Sequence, residues 1–178
     1  MLSMPNIFQL VKENSTEAIE SLRKDFKDYW LVTSTRIVYD AKNLSAKIIH
    51  NAGSSIVRPK EISVREIPDY TSAELPDIIN TDAGLSYCRA LVDEPKAAKE
   101  QVTNFFVALA GEEADRIRFW TPSQSSRAYR QVRSVVLCFV DLDRFGVDGD
   151  IWIDDYYGLS RGVAVKGSAK EYLQGKCF

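Results

Sequence analysis

The sequence predicts an α+β fold: a mainly antiparallel sheet, made of an N-terminal meander and C-terminal hairpin strands, with helices packed on one face. Three observations carry this. Ala18, Ile19, Leu22, Phe26 and Tyr29 recur at helical spacing and form one apolar stripe. Leu31, Thr33, Thr35, Ile37 and Tyr39 alternate with period two, and Leu44, Ala46 and Ile48 repeat the pattern after a short turn. Val135 to Val140 is apolar at both parities, as a strand covered on both sides is. Strands thus lie before and after a helical middle, the arrangement of α+β domains.

From the N-terminus, residues 5–12 suit a short helix that packs back on the next one. The first clear helix runs from Asn14 to Trp30, and Asn14 with Glu17 three residues on has the spacing of a capping box. Leu31 to Tyr39 and Leu44 to His50 form a hairpin across the turn Asp40–Asn43, and Asn51 to Ser55 is a loop. Ile56-Val57 and Ile62–Ile67 are short strand candidates around Arg58-Pro59. Pro68 to Thr81 holds two prolines and little periodicity, and reads as a long surface loop. Asp82 to Val92 is a helix with Leu85, Cys88, Leu91 and Val92 inward. Pro95 suits the first residue of another helix, which would run to Ala110, with Asp93 or Glu94 as cap. That helix packs through Val102, Phe105, Phe106 and Leu109 and stops at Gly111. Thr121-Pro122-Ser123-Gln124 resembles a further helix start. The central strand begins at Val132 or Ser134; Arg144 to Gly149, with two glycines, reads as a hairpin loop; Asp150 to Tyr157 and Arg161 to Lys166 follow as strands, and Ser168 to Leu173 as a last helical turn.

The chain has 178 residues, enough for one globular domain over residues 1–178. A chain of that length buries roughly 70% of its unfolded surface and folds without a disulfide or metal. Lys plus Arg is 23 against 25 for Asp plus Glu, a net charge of −2, so nucleic-acid contact would need a local patch. Cys88, Cys138 and Cys177 are far apart, which excludes a CxxC site, and the single histidine, His50, excludes a His-rich zinc set within one chain. No signal-peptide pattern or membrane-length apolar run is present, so the expected location is cytoplasmic, in a reducing setting.

Two segments carry candidate chemistry. Asp141, Asp143, Asp148, Asp150, Asp154 and Asp155 fall within fifteen residues. If Asp143 pairs with Asp150 across the hairpin, then Asp141, Asp143, Asp150 and Asp154 share one face; a one-residue shift breaks the cluster. Crowded carboxylates of this kind suit Mg²⁺, Mn²⁺ or Ca²⁺. The stretch does not fit an EF-hand, since Phe145 and Trp152 occupy ligand positions. FVDLDRF, from Phe139 to Phe145, resembles the metal-binding strand of diguanylate cyclases, but only 33 residues follow it and no GGDEF-like segment is present. The competing reading is a set of solvated charges that keep a strand end soluble.

The second segment holds five arginines without an acid: Arg116, Arg118, Arg127, Arg130 and Arg133. Arg127, Arg130 and Arg133 could hold a phosphate, with Tyr129 and Trp120 stacking on a base. Their simpler role is to pair with the acidic hairpin. No nucleophile–base pair, zinc set or phosphate-cradling loop appears. The expected function is a small soluble intracellular binding or interaction module for a protein partner or a second copy, with nucleic acid reachable through the 116–133 patch and no membrane. The alternative is a divalent-metal-dependent enzyme acting on a phosphate-containing substrate, a nucleotide or nucleic acid, through the Asp cluster and the Arg-rich helix.

Overall fold

The computed structural model describes residues 1–40, 45–55, 57–67, 72–121, 131–140, 144–152 and 158–159. The expected elements at 122–130 and 160–178, the strand beyond residue 152, and Ile56 lie outside them.

Helix α1 (Met4–Lys12) starts at Ser3, whose amide and hydroxyl both donate to Asn6 Oδ1 at 3.1 and 2.6 Å. Its buried face is Met4, Ile7 and Phe8. Helix α2 (Thr16–Asp28) buries Ile19, Leu22 and Phe26, so the apolar stripe is borne out, although Tyr29 falls past the last turn and is 55% exposed. The expected Asn14/Glu17 capping box does not form. Asn14 takes φ +50, and its amide and that of Ser15 bond back to Val11 O and Leu10 O, each at 3.0 Å. It closes α1 instead of opening α2, a role asparagine fills because it tolerates the left-handed region.

Strand β1 (Trp30–Asp40) and β2 (Ser45–His50) pair antiparallel, Ile37 opposite Ile48, and β3 (Lys60–Val64) continues the meander. The stretch expected as a surface loop instead contains β4 (Ala73–Glu74) and the short helix α3 (Leu75–Ile79). Pro76 sits in the first turn of α3, where its missing N–H costs nothing, and Leu75, Ile78 and Ile79 are buried. Helix α4 (Asp82–Val92) has the expected bounds. It ends at Asp93, φ +59, so Asp93 terminates α4 and does not cap the next helix. Helix α5 (Lys99–Ala110) starts four residues after Pro95, capped by Gln101 Oε1 accepting from Ala98 N at 2.8 Å. Gly111, φ +66, stops it as expected.

Strands β5 (Ile117–Trp120), β6 (Gln131–Val140), β7 (Arg144–Trp152) and β8 (Gly158–Leu159) complete a sheet ordered β3-β2-β1-β6-β7-β5-β4, with β8 beside the start of β1. The sheet is mixed. Five described pairings are antiparallel; β5–β7 and β1–β8 are parallel. The α+β class holds, and the described pairings are mainly antiparallel, as expected, with two parallel pairs among them. β1 and β6 are central, and Leu31 pairs with Leu137.

Leu31, Thr33, Thr35, Ile37 and Tyr39 share one face of β1, and all are at most 1% exposed. Helices meet the sheet on this side. Phe26 of α2 packs on Phe145 at 5.4 Å between ring centroids, and Phe106 of α5 on Phe119 at 4.9 Å. A line of edge-to-face rings, Phe8–Phe105–Phe106–Phe119, ties α1, α5 and β5 together. Each such ring contributes roughly 2–3 kcal/mol through burial. On the opposite face Val32, Val136 and Cys138 are also buried, which is why β6 reads as apolar throughout. No described helix is long and apolar enough to cross a membrane.

Candidate functional site

The aspartate register differs from the expected one. In the β6–β7 pair, Phe139 lies opposite Phe145 and Val140 opposite Arg144, so Arg144–Gly149 is strand and the connection is confined to residues 141–143. The two glycines that suggested a loop answer a packing need. A Cβ on Gly146 would stand 3.0 Å from the Trp120 ring, and one on Gly149 2.8 Å from Tyr87 Oη. Asp150 lies against the Ser134–Val136 segment, so the Asp143–Asp150 pairing does not form. Asp141, Asp143 and Asp154 are outside the described residues, as are Arg127, Tyr129 and Arg130. Among the described residues no three His, Cys, Asp or Glu side chains are placed to hold a metal.

What the structure does bring together is one member of each predicted set. Between Val136–Asp148 and Ser134–Ile151, β6 advances two residues while β7 advances three. The extra residue is a β-bulge, which swaps the faces of β7 beyond it. Asp150 is thereby turned toward Arg133, whose Nε donates to Asp150 Oδ1 at 3.0 Å. Arg133 is 2% exposed, so its charge needs this carboxylate. Asp150 N donates in turn to Asp148 Oδ1 at 2.7 Å. The Asp148 carboxyl is pushed up to about 6, chiefly by burial and also by the Asp150 charge, against the opposing pull of the Asp150 amide and Arg133. Tyr39 Oη donates to Gly149 O at 3.1 Å and fastens the bulge to β1. Of the other predicted contacts, Trp120 is half-buried beside Gly146 and opposite Asp148, and Arg118 is engaged by Glu74 and Ser72 at 3.2 and 2.9 Å. The intramolecular pairing expected of the arginines is thus realised at Arg133, with Asp150.

His50 is structural. It is 1% exposed, and its Nε2 bonds to the Ala90 carbonyl at 3.0 Å, a contact in which the ring must donate. Nδ1 then accepts from Thr35 Oγ1 at 3.0 Å, and Thr35 Oγ1 accepts from Met4 N at 3.0 Å. This chain of bonds joins the start of α1, β1, β2 and α4. Burial holds the imidazole below its ordinary value, with Lys60 acting the same way and the Ala90 carbonyl and Asp93 opposing. Both described thiols are buried, and burial pushes Cys138 up to about 12 and Cys88 higher still, which keeps them in the protonated form.

The feature that sequence reasoning missed is a groove of about 450 Å³ between α1 and α5. Its floor is Phe8, Val11, Phe105 and Ala108, with the Phe8 and Phe105 rings edge-to-face at 5.1 Å. Its rim is polar: Lys12, Glu94, Lys96, Gln101 and Asn104. Lys12 Nζ reaches Glu94 Oε1 at 3.1 Å and lies 5.6 Å from the Phe8 ring centre. These residues come from segments about ninety positions apart, and no local motif joins them. The only trace in the sequence was Phe105-Phe106, read as core, and both rings are buried.

No protein-family model matches the chain, no curated protein matches it, and no solved structure matches it.

Proposed function

We propose that this chain is a binding module and that the α1–α5 groove is its ligand site. The observation that supports the reading is the groove itself. A concave surface of about 450 Å³, formed by Phe8, Val11, Phe105 and Ala108 with polar groups at the rim, has the size of small-molecule sites. The enzyme alternative is weaker, because Arg133 and Asp150, one from each half of its composite site, are engaged with each other.

The test is a ¹⁹F fragment screen on the full chain, followed by amide shift mapping in the wild type and in Asn104→Trp. Asn104 is exposed on α5 and lines the groove, so a tryptophan there fills space without touching the core. The expected result is hits that shift residues of α1 and α5 and lose binding in Asn104→Trp. Hits that map elsewhere, or that bind the filled variant equally well, would refute the site.

A further inference from the structure

We infer that the edge of the sheet at β3 pairs antiparallel with β3 of a second copy of this chain, with Ser63 on the twofold axis. Among the described strands β3 has one neighbour, β2, so its other side is an edge whose backbone groups can extend the sheet. Lys60, Glu61, Ser63, Arg65 and Glu66 along it are exposed. The opposite edge is the two-residue β4, too short to recruit a strand.

The β3 edge is its own complement. With Ser63 opposite Ser63 of the copy, Ile62 meets Val64, Glu61 meets Arg65 and Lys60 meets Glu66. Each of these pairs is apolar or of opposite charge, and each occurs twice by symmetry. The faces agree as well. Ile62 and Val64 lie beside the buried Ile48 and Ala46 on the helix side, and Glu61 has the other parity, as does Arg65. Val64 is already covered, so the added burial falls on Ile62, which is half-buried. A register shifted by one residue sets Glu61 against Glu66, or Lys60 against Arg65, and like charges oppose it. Charged edges ordinarily keep strands from pairing. These charges turn away a stray strand and admit a copy in one register.

Within one chain Lys60 is held by Asp93 at 2.6 Å and Glu61 by Lys47, whereas Arg65 and Glu66 make no ion pair among the described residues. A copy supplies both with partners. β3 ends at Val64 with a bend at Arg65, and association lengthens it to Glu66. Pro59 and Pro68 bracket the segment and stop the pairing at its ends. An interface one strand wide lies at the small end of specific contacts, so the dissociation constant is on the order of 100 µM.

The experiment follows self-association of the full chain by sedimentation velocity from about 10 to about 500 µM at low salt, with amide shifts mapped over the same range. The expected result is a monomer–dimer equilibrium whose shifts centre on residues 60–66. Glu61→Arg and Arg65→Glu each set like charges face to face, and each is expected to weaken the dimer about tenfold. Mixed in equal amounts, the two variants are expected to associate about as tightly as wild type, because each presents the charge the other lacks. Damage confined to one chain's own fold would leave the mixture as weak as its components. A chain that stays monomeric throughout, shifts centred away from β3, a dimer indifferent to both substitutions, or variants that do not recover on mixing would each overturn the pairing.

Discussion

Asp148 offers the sharpest test of the electrostatics at the β7 bulge. Its carboxyl titrates near 6 in the fold against an ordinary value of 3.8, because the ionised form is partly buried next to Asp150. A folded value above the unfolded one means that the native state binds the proton more tightly. The stabilising contribution is therefore complete below about 3.8 and is lost as pH rises through about 6. At pH 7.5 the ionised group costs up to about 3 kcal/mol, from roughly 1.4 kcal/mol for each unit, and about 2 after allowance for its partial exposure. Asp148→Asn removes the charge and keeps the Oδ1 acceptor for the Asp150 amide. It should raise unfolding free energy by about 2 kcal/mol at pH 7.5, with the gain shrinking to about 1 kcal/mol or less near pH 4.5. Urea unfolding followed by tryptophan fluorescence at the two pH values measures this. A variant no more stable than wild type at pH 7.5, or equally stabilised at both pH values, would refute the reasoning.

Further outcomes are expected at four places. His50→Ala should cost about 2–4 kcal/mol, since it empties a buried site and removes the hydrogen bonds from the Thr35 hydroxyl and to the Ala90 carbonyl. Because the folded His50 value lies below 6.5, the wild type should lose stability as pH falls below that point, and imidazole ¹⁵N spectra should show Nε2 protonated and Nδ1 bare at pH 7.5; a doubly protonated ring there would sink the assignment. Gly84→Ala should be destabilising by about 2–4 kcal/mol, because its Cβ would stand 2.1 Å from Ile78 O in the α3–α4 turn, and a melting temperature within a degree of wild type would contradict that packing. For the ion pair, Arg133→Met and Asp150→Asn should show a coupling of about 1–2 kcal/mol in a double-mutant cycle. Mg²⁺, Mn²⁺ and Ca²⁺ should shift the melting temperature of wild type and Asp150→Asn alike, and a shift confined to wild type would instead make Asp150 a cation ligand.

Where the sequence was legible, local physics was enough. The α2 stripe, the β1–β2 alternation and the bounds of α4 follow from periodicity, and the stop at Gly111 follows from a glycine free to take positive φ. Capping residues were less informative. Asn14 and Asp93 each fit a helix start and each closes the preceding helix, since a short polar side chain serves either end. The glycines of β7 misled for a tertiary reason: Trp120 and Tyr87 occupy the space a side chain would need, and both belong to distant segments. The α1–α5 groove was invisible for the same reason, because its walls become neighbours only once the fold exists.

The central position of β1 has a consequence for how the chain folds. Its partner on one side, β2, follows at once, but its partner on the other, β6, lies about one hundred residues later. Pairings so distant in sequence carry a large loop-closure cost and make folding slow. During synthesis the N-terminal meander emerges with one edge of β1 bare, and that edge stays open until β6 leaves the ribosome. The register shift between Val32 and Arg36 interrupts the β1–β6 ladder at its midpoint, and a backbone irregularity of this kind hinders a stray strand from pairing along that edge.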